Sequence, residues 1–242
     1  MVNLFDIKLV FTNIPKLLKY LPINIEIAII ALVMGWVLGL IIALIRINRI
    51  PVLRQIAAVF VSVIRGTPII VQLYITYFGI PILLRYINYY RGTDYNINAI
   101  PGVIFAVLAL GLNQSAFDSE TIRASILSVE KGQIEACKSL GMTGWQTLRR
   151  VLLPQAFSVA IPPLGNSLIG LIKGTSLVFV CSVIEMTAEG KIIAGRNYRY
   201  FEVYCSLAII FWLITIILEY LFKKLEKRFS VPENVEEGKT AA

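Results

Sequence analysis

The sequence predicts an all-α polytopic membrane protein interrupted by one polar helical insertion, and three observations carry that prediction. Of its 242 residues, 57% are hydrophobic and only 16% charged, giving a mean hydropathy of +0.74, outside the range of soluble domains. Long apolar runs recur at residues 25–45, 69–84, 100–117, 156–172 and 203–222, most of them near the length that crosses a hydrocarbon core of roughly 30 Å. A further run, 176–186, is too short to span alone.

The third observation is where the charge sits. The formal net charge is +8, carried by 23 basic residues. If the first span runs from outside to inside, the cytoplasmic side receives Arg46, Arg49, Arg54, five more from Arg123 to Arg150, then Lys223, Lys224, Lys227, Arg228 and Lys239. Lys8, Lys16, Lys19, Arg85, Arg91, Lys191, Arg196 and Arg199 fall outside, and Arg65 and Lys173 fall at membrane depth. This bias of 13 to 8 follows the positive-inside rule, with the N-terminus outside and the C-terminus cytoplasmic, and makes a nucleic-acid surface unnecessary.

Along the chain, the leading stretch MVNLFDIKLVFTNIPKLLKYLP has no cleavage-site pattern and reads as an amphipathic segment that stays attached. In the first span, Gly35 and Gly39 make a small-xxx-small face suited to close helix contact, although glycine is also simply common in membrane helices. The second apolar region is broken at Arg65–Pro68 (RGTP), because proline removes a donor and disfavours helix before it. In lipid such a break is tolerated only where protein or a wet cavity satisfies the freed groups, so Arg65 should face protein or water. The stretch YINYYRGTDYNIN then reads as an extracellular loop.

The third span turns polar at its centre, at Asn113, Gln114 and Ser115, which should face the bundle interior. Interhelical hydrogen bonding is the plainer role, but three in succession cannot all serve one contact. Glu120 and Arg123 are spaced to pair at i,i+3.

The polar insertion follows, and Gly141 divides it. Gln133–Leu140 should form two helical turns ended by Gly141 in the left-handed conformation. Thr143 and Gln146 then match a capping box, starting a second helix from about Gly144 to Leu153, which Pro154 should close. Trp145, Leu148 and Leu152 share one face of it, opposite Arg149 and Arg150. Periodicity alone allows this pair to rest on a lipid surface or to plug a groove in another protein.

Lys173 falls near mid-membrane. Gly174 is placed to break its helix and Thr175 or Ser176 to cap the next, and a lysine beside free amide donors suits a carboxylate. The alternative is that Lys173 satisfies freed carbonyls or pairs with Glu185. The end of the chain, 226–242, reads as a polar cytoplasmic tail, polar and carrying Pro and Gly from Ser230 onward.

Several chemistries are unsupported. Histidine is absent, and Cys137, Cys181 and Cys205 lack metal-like spacing and read as packing residues. The GKT at Gly238–Thr240 is no P-loop, because the required glycine would fall at Glu233. No nucleophile with a base, or set of metal ligands, suggests an enzyme. An ion-coupled carrier or channel is the rival class, supported by Lys173, Asp118 and Glu120 at or near membrane depth.

The insertion resembles the signature loop of ABC-importer permeases. Glu135, Ala136 and Cys137 fill its first triplet, Gly141 its glycine, and Val151, Leu153 and Pro154 its end, with Cys for Ala and Val for Ile as the departures. RGTPIIVQL (65–73), AFDSETIRASI (116–126), KGQIEACKSLGMT (131–143), LPQAFSVAIPPLGNSLIGLIKGTSL (153–177) and YRYFEVY resemble the polar-amino-acid uptake branch, over about residues 15–225.

That resemblance implies a transmembrane domain over 1–225 with five transmembrane helices, a cytoplasmic coupling-helix loop at about 131–154, and work as a dimer of permeases. Glu135, Ala136, Gly141, Met142 and Thr143 would couple to ATPase subunits, two per transporter, which carry ATP and Mg; this chain itself holds no cofactor or metal. Rigid-body motion would pass from them to the membrane helices. The remaining implied partners are a second permease copy or homologue and an extracellular or periplasmic amino-acid-binding protein, at a prokaryotic plasma membrane. The resemblance places the amino-acid site among Asn113, Gln114, Ser115, Lys173, Thr175 and Ser176. Some relatives carry an acid after the lysine; Gly174 here points to a neutral or bulky substrate such as cystine.

Overall fold

The computed structural model describes residues 4–229. Their order is α1 (Ile7–Leu18), α2 (Leu21–Ile47), α3 (Leu53–Gly66), α4 (Ile69–Tyr74), α5 (Ile80–Arg91), α6 (Gly102–Leu127), α7 (Lys131–Ser139), α8 (Gly144–Thr147), α9 (Leu153–Gly174), α10 (Met186–Asn197) and α11 (Tyr200–Phe229). Among the described residues, five helical stretches are long and apolar enough to span: Leu21–Ile47, Ile69–Arg91, Gly102–Leu127, Gly144–Cys181 and Tyr200–Phe229.

Helices α2 and α6 form the centre of the bundle and run in the same direction. Their glycines set the spacing. A Cβ on Gly35 would stand 2.6 Å from Gln114 Cγ, and one on Gly39 would stand 3.2 Å from both Ser115 O and Ser119 N. The small-xxx-small face is therefore a packing face, and its buried neighbours Ile27, Ala28, Ala31, Phe105, Ala106, Ala109 and Leu110 belong to the main core. A second core joins Leu17 of α1 to Met186, Ile193 and Ala194 of α10 and Val203 and Leu207 of α11. Cys137 and Cys181 are buried, Cys205 is half-buried, and all three are free thiols.

The expected break at RGTP is present. Thr67 is extended (φ −116°, ψ 142°) between α3 and α4. Gln72, one turn into α4, answers the freed backbone: its Nε2 donates to Ile64 O at 2.7 Å and Thr67 O at 3.1 Å. The freed carbonyls are thus satisfied by protein, as the low dielectric of a membrane demands.

Three local expectations are corrected. The segment YINYYR is helix, continuing α5 to Arg91, where Gly92 in the left-handed region ends it; the loop is shorter than the polar composition suggested. Pro154 does not close the second helix of the insertion. A π-turn at Leu148–Leu152 widens the backbone ahead of the proline, and α8 runs on into α9. Residues 226–229 belong to α11, while the rest of the polar tail, 230–242, lies outside the described residues.

Candidate functional site

The polar centre of α6 divides its three residues among different partners. Asn113 Nδ2 donates to Gln72 Oε1 of α4 at 3.1 Å. Gln114 donates to Asp118 Oδ2 at 2.9 Å and to Ser167 Oγ of α9, whose hydroxyl donates to Asp118 Oδ1 at 2.6 Å. Ser115 donates back to Leu112 O. Gln114, Ser115 and Asp118 are buried, while Asn113 is half-buried. A carboxylate buried in a bundle is costly unless its oxygens are bonded, and both oxygens of Asp118 are. Gln114 and Asp118 thus lock α6 to α9, and Asn113 locks it to α4.

Lys173 sits in the last turn of α9 and is exposed, with no acidic partner among the described residues. Asn166 and Gly170, at i−7 and i−3, are exposed on the same face. In the sequence, only the i−7 spacing of Asn166 from Lys173 signals that the two share a face. The ring Asp118–Ser167 at one end and the approach of Gly174 to Leu110 at the other put this stripe beside the central turns of α6.

The region after Lys173 differs from expectation. No α-helix starts at Thr175 or Ser176. The backbone tightens into a 3₁₀ segment, Thr175–Cys181, because both hydroxyls donate backwards, Thr175 to Ile172 O and Ser176 to Lys173 O, at 2.6 Å each. The next helix start belongs to Glu185, whose carboxylate accepts from Thr187 N at 2.8 Å and Ala188 N at 3.0 Å. Asn24 ties this start to α2, donating to Thr175 Oγ1 at 2.9 Å and Glu185 Oε2 at 3.0 Å while accepting from Met186 N. Burial pushes the Glu185 carboxyl above its usual range, and the bonds from Thr187, Asn24 and Ala188 pull it partly back. Glu185 is therefore occupied as a cap and does not pair with Lys173. Thr175 is fully buried and Ser176 half-buried.

The bend of the insertion keeps its expected shape. Gly141 has φ +74°, and the Thr143–Gln146 capping box is complete in both directions. Met142 is half-buried; Glu135, Ala136, Gly141 and Thr143 are exposed. Leu140 and Trp145 are 81% and 67% exposed, so the bend presents an apolar tip. Gln155 at the start of α9 donates to Gln133 of α7, bracing the pair.

Five spans, a braced apolar tip at one end and an open polar stripe along one span describe a polytopic membrane protein. The chain belongs to the family of binding-protein-dependent transport system inner membrane components, which matches residues 35–231. Members of this family are non-catalytic permease subunits, and ATP hydrolysis belongs to a separate subunit. It is 40% identical over 231 residues to the probable amino-acid permease protein YxeN of Bacillus subtilis, covering 96% of this chain and 99% of the relative. It is 39% identical to the L-cystine transport system permease protein TcyL of the same organism, covering 94% and 93%. The crystal structure of an amino acid ABC transporter with histidines superposes with a TM-score of 0.79 at 34% identity, covering 93% of this chain and 99% of that one.

Proposed function

We propose that this chain is the permease subunit of an ATP-driven amino-acid importer, forming half of a pathway completed by a second copy or a homologue. The observation that carries the reading is the exposed stripe Asn166–Gly170–Lys173. An unpaired ammonium and an amide in a span cannot face acyl chains without heavy cost, so this face must meet a partner helix or a wet pathway. Lys173 supplies the charge for a substrate carboxylate, with Asn113 and Ser176 as polar neighbours on half-buried positions. Gln114, Ser115 and Thr175, already bonded inside the protomer, act by holding that wall in place.

The tip formed by Leu140 and Trp145, with Glu135, Ala136, Gly141, Met142 and Thr143 around the bend, is the seat for the ATPase subunits, two per transporter, which hold ATP and Mg. That end is cytoplasmic, the N-terminus lies outside, and an amino-acid-binding protein delivers substrate at the opposite face. Gly174 leaves space, since a Cβ there would meet only Leu110 Cδ2, at 3.7 Å. Together with the likeness to an L-cystine permease, that space favours a bulky neutral substrate such as cystine.

The test is reconstitution of the permease with its ATPase and binding protein, and an uptake screen over the standard amino acids and L-cystine. ATP-dependent uptake of an amino acid, lost in Lys173→Gln, is expected; uptake that persists without ATP would favour an ion-coupled carrier instead.

A further inference from the structure

A second cationic place lies on the same side of the bundle. Around the α3–α6 junction is a cavity of about 470 Å³ lined by Arg46, Ser62, Arg65, Phe117 and Glu120. Its charges do not balance. Glu120 is shared by Arg46 and Arg123. The Arg65 guanidinium lies 5.3 Å from the centre of the Phe117 ring and has no acidic partner among the described residues. Two guanidinium groups thus share Glu120, and a third, that of Arg65, lines the same cavity. A cation over an aromatic face is only partly compensated, and the exposed Arg65 guanidinium keeps donors available to an oxyanion.

Two sources of that anion are within reach. Phe117 ends the third apolar run, and Glu120, three residues on, pairs with Arg46 in the last turn of α2, so the cavity lies toward the α7–α8 end of the spans, where a lipid phosphate and a solute leaving the pathway can both arrive. The line it makes with Lys173 favours the solute, and a transport ratio that depends on Arg65 distinguishes it from a lipid phosphate.

The helical faces agree. Gln114 and Asp118 of α6 are engaged by Ser167, and Asn113 by Gln72, leaving Phe117, 43% exposed, on the strip between α9 and α3. Helices α6 and α9 are antiparallel, Gly174 meeting Leu110 and Ser167 meeting Asp118. Phe117 is thus level with Asn166, and Lys173 lies about 10 Å further along at 1.5 Å per residue.

We propose that Arg65 is a second station for the substrate carboxylate, about two helical turns beyond Lys173 toward the α7–α8 end, where the carboxylate is handed on after leaving the lysine. The inference rests on the importer reading above. Two cationic stations in series let each hold the carboxylate weakly enough to release it, whereas one deep cation would trap it.

The experiment uses the reconstituted importer with its ATPase and binding protein, and measures amino acid delivered per ATP hydrolysed, for the amino acid with highest uptake among the standard set and L-cystine. Arg65→Gln should lower that ratio about tenfold, the worth of one charge-assisted hydrogen bond, and Arg65→Lys should restore it to within about threefold. Arg54→Gln, in the first turn of α3 and outside the cavity, should leave it unchanged. An unchanged ratio in Arg65→Gln, whether or not both rates fall together, overturns the station, as does a failure of lysine to restore it. If the unaltered importer moves no amino acid, the importer reading fails and the station with it.

Discussion

Gln72 reaches across the helix break to the carbonyl of Ile64, 2.7 Å away, with the same nitrogen serving Thr67 O and its oxygen holding Asn113. One side chain thereby replaces main-chain bonds that Pro68 makes impossible and fastens the break to α6. Gln72→Leu leaves these carbonyls unanswered in a low-dielectric setting, at a cost of about 1–3 kcal/mol for each buried group. Thermal unfolding of the purified protein in nanodiscs should show a clearly lowered midpoint, and Gln72→Glu, which keeps the shape but not the donor, should not recover it.

The α2–α6 contact predicts a contrast between glycines. Gly35→Val drives side-chain carbon into Gln114 and should destabilise by about 1–3 kcal/mol, the usual cost of overpacking. Gly132→Ala, where a Cβ would meet nothing within 4 Å, should fall within about 0.5 kcal/mol of the unaltered protein. Paired unfolding midpoints check both.

Gly141 and Thr143 fix the angle of the exposed tip. Gly141→Val puts a branched residue at φ +74°, a strain of about 1–2 kcal/mol, and Thr143→Val removes a cap worth about 1 kcal/mol. Because both lie outside the bundle, the melting of the spans should hardly move. Co-purification of the ATPase should fall several-fold in each, and an undiminished yield of complex would remove the tip from the coupling role.

Glu185 predicts a pH signature. Burial holds its folded carboxyl above the usual carboxylate range, so the stability it contributes is fully present below the unfolded pKa and is lost as pH rises through the folded one. Between the unaltered protein and Glu185→Gln, the difference in unfolding midpoint should shift with pH in that window, the glutamine form staying flatter. Equal slopes would show that the carboxyl does not ionise against its burial.

What the sequence made legible was what local rules govern. The apolar runs, the proline break, the glycine bend and the Thr143–Gln146 box each need only a few neighbouring residues. Partnerships across the chain were hidden: Asn24 meets Glu185, and Arg46 meets Glu120, through packing that no local pattern specifies. The stop expected at Pro154 failed because a π-turn at Leu148–Leu152 absorbs the lost donor. Lys173 was visible as a lone charge in an apolar run. Asn166 was not, because its exposure depends on which face of α9 meets α6, and the Ser167–Asp118 bond decides that.

The uninterrupted path from Trp145 through the π-turn to Lys173 has a bookkeeping-free consequence. Tip and ammonium ride on one continuous helical stretch, Gly144–Cys181. On the proposed reading, with a carboxylate at Lys173 and an ATPase at Trp145, thermodynamic reciprocity requires that any factor by which one ligand alters the grip on the other act equally in both directions.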